Sequence, residues 1–194
     1  MPQPSSLPTI LRTLADAIDA VTRAVFRVAM AAGLFVVVVQ VAVVLLRVAL
    51  GTGSLWLQES LVYAHATLFL LAAAWTLARD GHVRVDLFYA SASPRKKAWV
   101  DALGTLACLF PFAAVLLWVS LPYVGRSWQI LERSREASGL PAVFLLKTLI
   151  PLFALLMLAQ GFSRLARAVL VLTGADPAAL APATPLGGEP ASRA

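Results

Sequence analysis

Apolar residues fall into four long runs separated by short polar stretches. Residues 28–46 are apolar apart from Gln40, and residues 61–78 carry Tyr63, His65, Thr67 and Thr76 but no formal charge. Residues 102–124 contain Thr105 and Ser120, with Pro111 and Pro122 as expected kinks, and residues 140–162 contain Lys147 and Gln160. A bilayer's hydrocarbon core is about 30 Å thick and a helix rises about 1.5 Å per residue, so about 20 residues cross it. Each run has roughly that length. In lipid only helices or closed barrels satisfy the backbone, and none of the runs alternates as a barrel strand does. The pattern predicts an all-α integral membrane protein with four transmembrane helices.

The flanks add detail. Ahead of the first run, Leu7, Ile10, Leu11, Leu14, Ile18, Val21 and Val25 recur at helical spacing, while Arg12, Asp16, Asp19 and Arg23 fall on the other side. Residues 1–27 therefore read as a cytoplasmic N-terminal amphipathic segment, either lying at the membrane surface or extending the first span into water. The first run starts too late and is too long for a cleaved secretory signal. Ser93 followed by Pro94 has the form of a helix start, so the third helix is expected to begin well before its apolar part, with Arg95, Lys96 and Lys97 at the headgroups. Pro141 reads as the opening of the fourth helix and Gly81 as the end of the second. Residues 173–194 are rich in Ala, Pro, Gly and Thr without apolar periodicity, the composition of a disordered tail. No internal repeat is visible, which argues against the paired halves of many self-sufficient transporters.

Composition excludes a soluble domain: 60% of residues are apolar and 13% charged, and the mean hydropathy is +0.81. The net charge of +6 comes from residues beside the spans rather than from a separate basic domain, which points to membrane lipid and orientation and not to nucleic acid. Eleven basic residues lie on one side (Arg12, Arg23, Arg27, Arg79, Arg84, Arg95, Lys96, Lys97, Arg164, Arg167, Arg193), against Arg47, Arg126, Arg133 and Arg135 on the other, with Lys147 further in. The positive-inside rule then places both termini and the middle loop in the cytoplasm, and the first and third loops outside. The single cysteine, Cys108, cannot form an internal disulfide, a CxxC pair or a thiolate metal site, and reads as a small buried apolar residue.

Ionisable groups inside a span are candidates for function because their burial is costly. Glu59 opens span two at the outer face, His65 lies one turn inside that span, and Lys147 about two turns inside span four. Lys147 can snorkel toward the outer interface, where Trp56 and Trp128 also sit, or pair with Glu59 or Glu136. His65 reads as a hydrogen-bonded packing residue. The densest polar cluster is Arg79-Asp80-Gly81-His82-Val83-Arg84-Val85-Asp86; His82 and Asp86 share a face if helical, but two ligands are short of a metal site and no nucleophile accompanies them. His65 and His82, near opposite ends of one segment, cannot ligate one haem. No catalytic, cofactor or metal site emerges.

Three pieces of this sequence together resemble a known family. Trp56-x-x-Glu59, the run ending in Arg79-Asp80-Gly81-His82-Val83-Arg84-Val85-Asp86, and Gly139-Leu140-Pro141 leading to Lys147, Pro151 and Gln160-Gly161 are similar to the small membrane subunit (DctQ-like) of tripartite ATP-independent periplasmic (TRAP) transporters. The resemblance covers roughly residues 25–170. Gln58 stands where many members carry a second acid beside Glu59. The resemblance implies a non-enzymatic, multi-pass subunit of the bacterial inner membrane, without cofactor. It would brace a large, DctM-like membrane subunit that performs ion-coupled (sodium) uptake of an organic acid delivered by a periplasmic solute-binding receptor. It makes Trp56, Glu59, His82, Arg84, Asp86 and Lys147 candidates for the partner interface, with Trp75, Phe69 and the third helix as contact surface. Arg126, Glu132, Arg133, Arg135 and Glu136 become candidates for receptor docking, or else a solvated loop with pairs such as Glu132 and Arg135. The alternatives are a self-contained oligomeric channel or small-solute transporter, and a redox protein, for which the paired histidines or cysteines are missing.

Overall fold

The computed structural model describes residues 7–81, 89, 92–136 and 138–180. All regular structure among them is helical. Helix α1 is Leu7–Leu50 and α2 is Leu55–Ala78; α3 is Pro94–Gln129 and α4 is Val143–Leu172, and each is long and apolar enough to cross a bilayer. The chain divides into two compact units, one of residues 1–24, 74–114 and 156–194, the other of residues 25–73 and 115–155.

The ends of the helices follow from local chemistry. Gly51 (φ 63°) stops α1 in the left-handed conformation that a residue without Cβ adopts at no steric cost, its N–H closing on the Arg47 carbonyl. As expected, Pro94 stands at the first position of α3 after extended Ser93, although the Ser93 hydroxyl itself caps nothing. At residues 105–109, just before Pro111, α3 widens into a π turn. Pro111 has no N–H for the carbonyl four residues back and its ring crowds that carbonyl, so the turn opens there. Cys108, expected to be buried, is exposed on this widened turn.

Two boundaries differ from expectation. The left-handed residue after α2 is Asp80 (φ 61°) and not Gly81. Gly81 N–H reaches back to the Thr76 carbonyl and Asp80 N–H to that of Leu77, the double closure that satisfies a helix's last carbonyls. Helix α4 starts at Val143, two residues after Pro141, so Lys147 lies one turn inside it rather than two.

Residues 7–50 form one continuous helix, without a break between the amphipathic segment and the first span. In the first unit Asp19 and Thr22 of this helix are buried, while Arg12 and Asp16 are exposed, as are Leu7, Ile10, Leu14 and Val21. The unit's core is small-residue packing: Ala98 and Ala102 of α3 meet Ala168, Leu170 and Val171 of α4, with Ala179 and Leu11 against them. Ala179 belongs to a stretch expected to be disordered. Instead, residues 173–180 fold back, with Asp176 N–H donating to the Leu170 carbonyl and the Asp176 carboxylate 3.5 Å from Arg12. Trp75 is also buried, with the Arg23 guanidinium 5.9 Å from its ring centroid, so it offers no outward contact surface; Phe69 does.

Helix α4 packs tightly on α3 at Gly161, where an added Cβ would stand 2.7 Å from Phe110 Cε1 and 2.8 Å from Leu109 Cδ2. Gly161→Ala should destabilise the purified protein by about 1–3 kcal/mol through overpacking. Gly104→Ala, with nothing within 4 Å of the new methyl, should be neutral or stabilise by up to about 1 kcal/mol. Thermal unfolding of both variants in one detergent checks the contrast.

Candidate functional site

Polar residues of the first unit form two hydrogen-bonded sets. Gln160, Ser163, Arg164 and Arg167 lie at helical spacing on α4, and of these Gln160, Ser163 and Arg167 meet Asp16, Asp19 and Thr22 of α1. Asp19, 6% exposed, accepts hydrogen bonds from Gln160 Nε2 (2.9 Å), Ser163 Oγ (3.0 Å) and Arg167 Nη2 (2.6 Å). Thr22 Oγ1 donates to Gln160 Oε1 at 3.0 Å, and Arg167 also reaches Asp16 at 2.8 Å. A buried carboxylate is tolerated when a cation and hydrogen-bond donors saturate it, and Asp19 meets that condition.

Arg164 makes the second set of ties. Its Nη1 donates to Asp80 Oδ1 (2.8 Å) and to the Leu77 carbonyl (3.1 Å), while Nη2 donates to Asp101 Oδ2 (2.9 Å), which also accepts from the Tyr89 hydroxyl at 3.0 Å. One planar guanidinium thus closes the C-terminus of α2, holds Asp80 in its left-handed conformation and fastens α3 through buried Asp101. Beside it opens an apolar cavity of about 460 Å³ walled by Leu77, Val100, Leu109 and Met157, whose charged lining is this ion-paired cluster. Nothing in the cavity is arranged as a nucleophile with its base. Among the described residues no group of three or more His, Cys, Asp or Glu could hold a metal.

The second unit is tied by the candidates that the sequence did point to. Glu59 of α2 accepts from Ser134 Oγ and from the Leu140 backbone N–H, both at 2.5 Å, which pins the loop before α4 to α2. Ser134 N–H closes the loop onto the Leu140 carbonyl, and a Cβ on Gly139 would stand 2.7 Å from Glu59 Oε1, so the loop passes where only glycine fits. Lys147 pairs with neither Glu59 nor Glu136 but with Glu132 (2.5 Å), and its ammonium also lies 4.2 Å from the Tyr123 ring centroid. Glu132 is chosen because α3 ends at left-handed Leu131 (φ 44°), which brings the next carboxylate back over Ser127, whose hydroxyl donates to it at 2.7 Å. Trp128 Nε1 donates to Thr148 Oγ1, and its ring meets Phe144 edge-on at 4.7 Å. Trp56, Arg126, Arg133, Arg135 and Glu136 are exposed. His82, Arg84 and Asp86 lie outside the described residues.

Asp19, Asp101, Arg164 and Arg167 carry most of the first unit's ties, and sequence reasoning passed over them. The arginines served only as orientation charges and Asp19 as part of a wet helix face. The available signal was the match of two polar stripes, at 160, 163, 164 and 167 on one helix and at 12, 16, 19 and 23 on another.

These features define a multi-pass helical membrane protein whose described ionisable groups serve largely to tie its own helices together. A family model for tripartite ATP-independent periplasmic transporters, DctQ component, matches residues 36–171, and the chain belongs to that family. No curated protein matches and no solved structure matches. The chain is accordingly a small permease subunit of a TRAP transporter in the inner membrane, from a family of transporter components and not of enzymes.

Two outcomes follow from the ties. Arg164→Ala removes the guanidinium that ties Asp80, Asp101 and the Leu77 carbonyl together and should lower stability by about 1–3 kcal/mol; Arg164→Lys should recover little, because an ammonium cannot span the three acceptors. Thermal unfolding of the purified variants measures both. For Glu132, the hydrogen bond from Lys147 and then that from Ser127 hold the carboxyl below its ordinary range. A lowered folded value means that this stabilisation is complete above about pH 4.3, the ordinary carboxyl value, and is lost as the pH falls through the folded value. The stability gap between wild type and Glu132→Gln should therefore be full at pH 7 and close on acidification below pH 4.

Proposed function

We propose that this chain is the brace of its transporter: it holds the static part of a large, DctM-like membrane subunit that carries out sodium-coupled uptake of an organic acid. The observation that carries this reading is that acids with buried side chains and the partly buried cations paired with them, Asp19 with Arg167 and Asp101 with Arg164, fasten helices to one another. A subunit built this way contributes rigidity to a partner that moves. Orientation follows the basic residues, with both termini and the middle loop cytoplasmic.

In the same reading the loop between α3 and α4 faces the periplasm and meets the solute-binding receptor. Glu59 and Glu132 are engaged inside the chain, so the exposed charge there rests on Arg126, Arg133 and Arg135 against Glu136. A pinned loop with surplus cations favours an acidic mating surface, and rim charges of this kind act mainly on encounter rate and register.

The chain alone in proteoliposomes should transport nothing, while co-expression with the large subunit yields a stable complex that takes up substrate only with receptor present. Arg133→Glu with Arg135→Glu should raise the receptor concentration for half-maximal uptake, most strongly at low salt, where the Debye length is long. Unchanged receptor dependence at low ionic strength would remove the loop from docking. Orientation is read from cysteines placed at Ser93 and Ser138 in a Cys108→Ala background. Ser138 should label from outside intact cells and Ser93 should not.

A further inference from the structure

Helix α2 is covered on most of its circumference over residues 57–71, and one narrow stripe stays open: Gln58, Val62, His65 and Phe69 are exposed while the positions between them are not. Their spacing of four, three and four residues keeps a stripe in line along one helix face, the arrangement by which one helix packs lengthwise on another. Because α2 begins at Leu55, His65 sits ten residues inside it and one turn inside the apolar run that begins at residue 61, within the lipid-compatible part of the helix. Gln40 of α1 is also exposed, ten residues before that helix ends at Leu50. Only residues 51–54 separate the two helices, and Gly33 packs on the Leu68 side chain, so α1 and α2 run antiparallel as neighbours. Gln40 and His65 therefore lie within about one helical turn of each other in depth. Neither makes a hydrogen bond to another described residue.

Hydrocarbon offers no partner to an imidazole or a carboxamide, and polar side chains at this depth face protein almost without exception. We infer that the open stripe of α2, together with Gln40 of α1 at a similar depth, is the seat of a transmembrane helix of the large membrane subunit, and that this helix presents hydrogen-bonding side chains to His65 and Gln40. The inference rests on the functional reading above and adds the helix face at which the two subunits meet. A helix packed along Val62 and Phe69 brings such groups to the right depth, whereas a lipid tail would leave both side chains unsatisfied. Glu59 and Lys147, by contrast, are already satisfied within the chain.

The test uses the full chain co-expressed with its large subunit. A photo-crosslinking residue at Val62 or Phe69 should link to the large subunit. His65→Leu combined with Gln40→Leu should lower the amount of large subunit retained in detergent by about threefold or more, as for the loss of one or two interhelical hydrogen bonds. His65→Asn, which keeps hydrogen-bonding capacity, should restore retention when Gln40 is intact. Because neither side chain has a partner among the described residues, the double leucine variant purified alone should unfold at the wild-type temperature or above it. If wild-type chain and large subunit do not copurify, the functional reading fails. If they do, but Val62 and Phe69 link only to lipid or to a second copy of this chain, or the double variant retains its partner fully, the stripe is not the seat and the functional reading stands.

Discussion

Two cations on the last helix hold the C-terminal ends of the two helices before it. Lys147 grips Glu132 just past the end of α3, and Arg164 grips Asp80 just past the end of α2. Each of these ends passes through a non-glycine residue in the left-handed conformation, Leu131 and Asp80, a geometry that costs about 1–2 kcal/mol for a residue with a Cβ. In return the turn delivers a carboxylate to a cation: the Glu132 and Asp80 side chains stay 31% and 34% exposed, while Lys147 and Arg164 are only 17% and 14% exposed, so each pair is partly desolvated. Helix termini, which lipid cannot solvate, are thereby closed by side chains of α4.

The same constraint explains why the described charges work inward. A membrane subunit that binds and releases a solute needs polar groups whose partners can change. Here Asp19 is saturated by three donors and Asp101 is held by both Arg164 and Tyr89. Their geometry fixes the crossing of α1, α3 and α4 within the first unit and leaves nothing to exchange. In the second unit Glu59 does comparable work for a loop, and the close passage at Gly139 makes that tie possible. Rigidity of this kind is the physical content of a bracing role.

Polar side chains left without partners then acquire meaning by contrast. Gln40 and His65 are exposed at a depth where water is absent, in a chain that satisfies Asp19 and Asp101 with several donors each. The buried carboxylates find their donors inside the chain, whereas these two positions point outward, to a second protein.

The sequence by itself determined the class, the number of spans and the family. Those rest on run length, hydropathy and short motifs, which are local properties that lipid and backbone chemistry convert directly into helices. It also marked Glu59, Gly139-Leu140, Lys147 and Gln160-Gly161, all of which turn out to sit at tight contacts. Only the tertiary structure decided which groups meet. Lys147 takes Glu132 because the left-handed turn at Leu131 swings that carboxylate back, which spacing along the chain does not reveal. Asp19 is buried because the face opposite it on α4 happens to carry Gln160, Ser163 and Arg167, so a stripe that reads as wet on α1 alone becomes the inside of the pair. Hydropathy locates the lipid-compatible part of a helix; where the helix begins, and which side of it is covered, is settled by what the other helices bring to it.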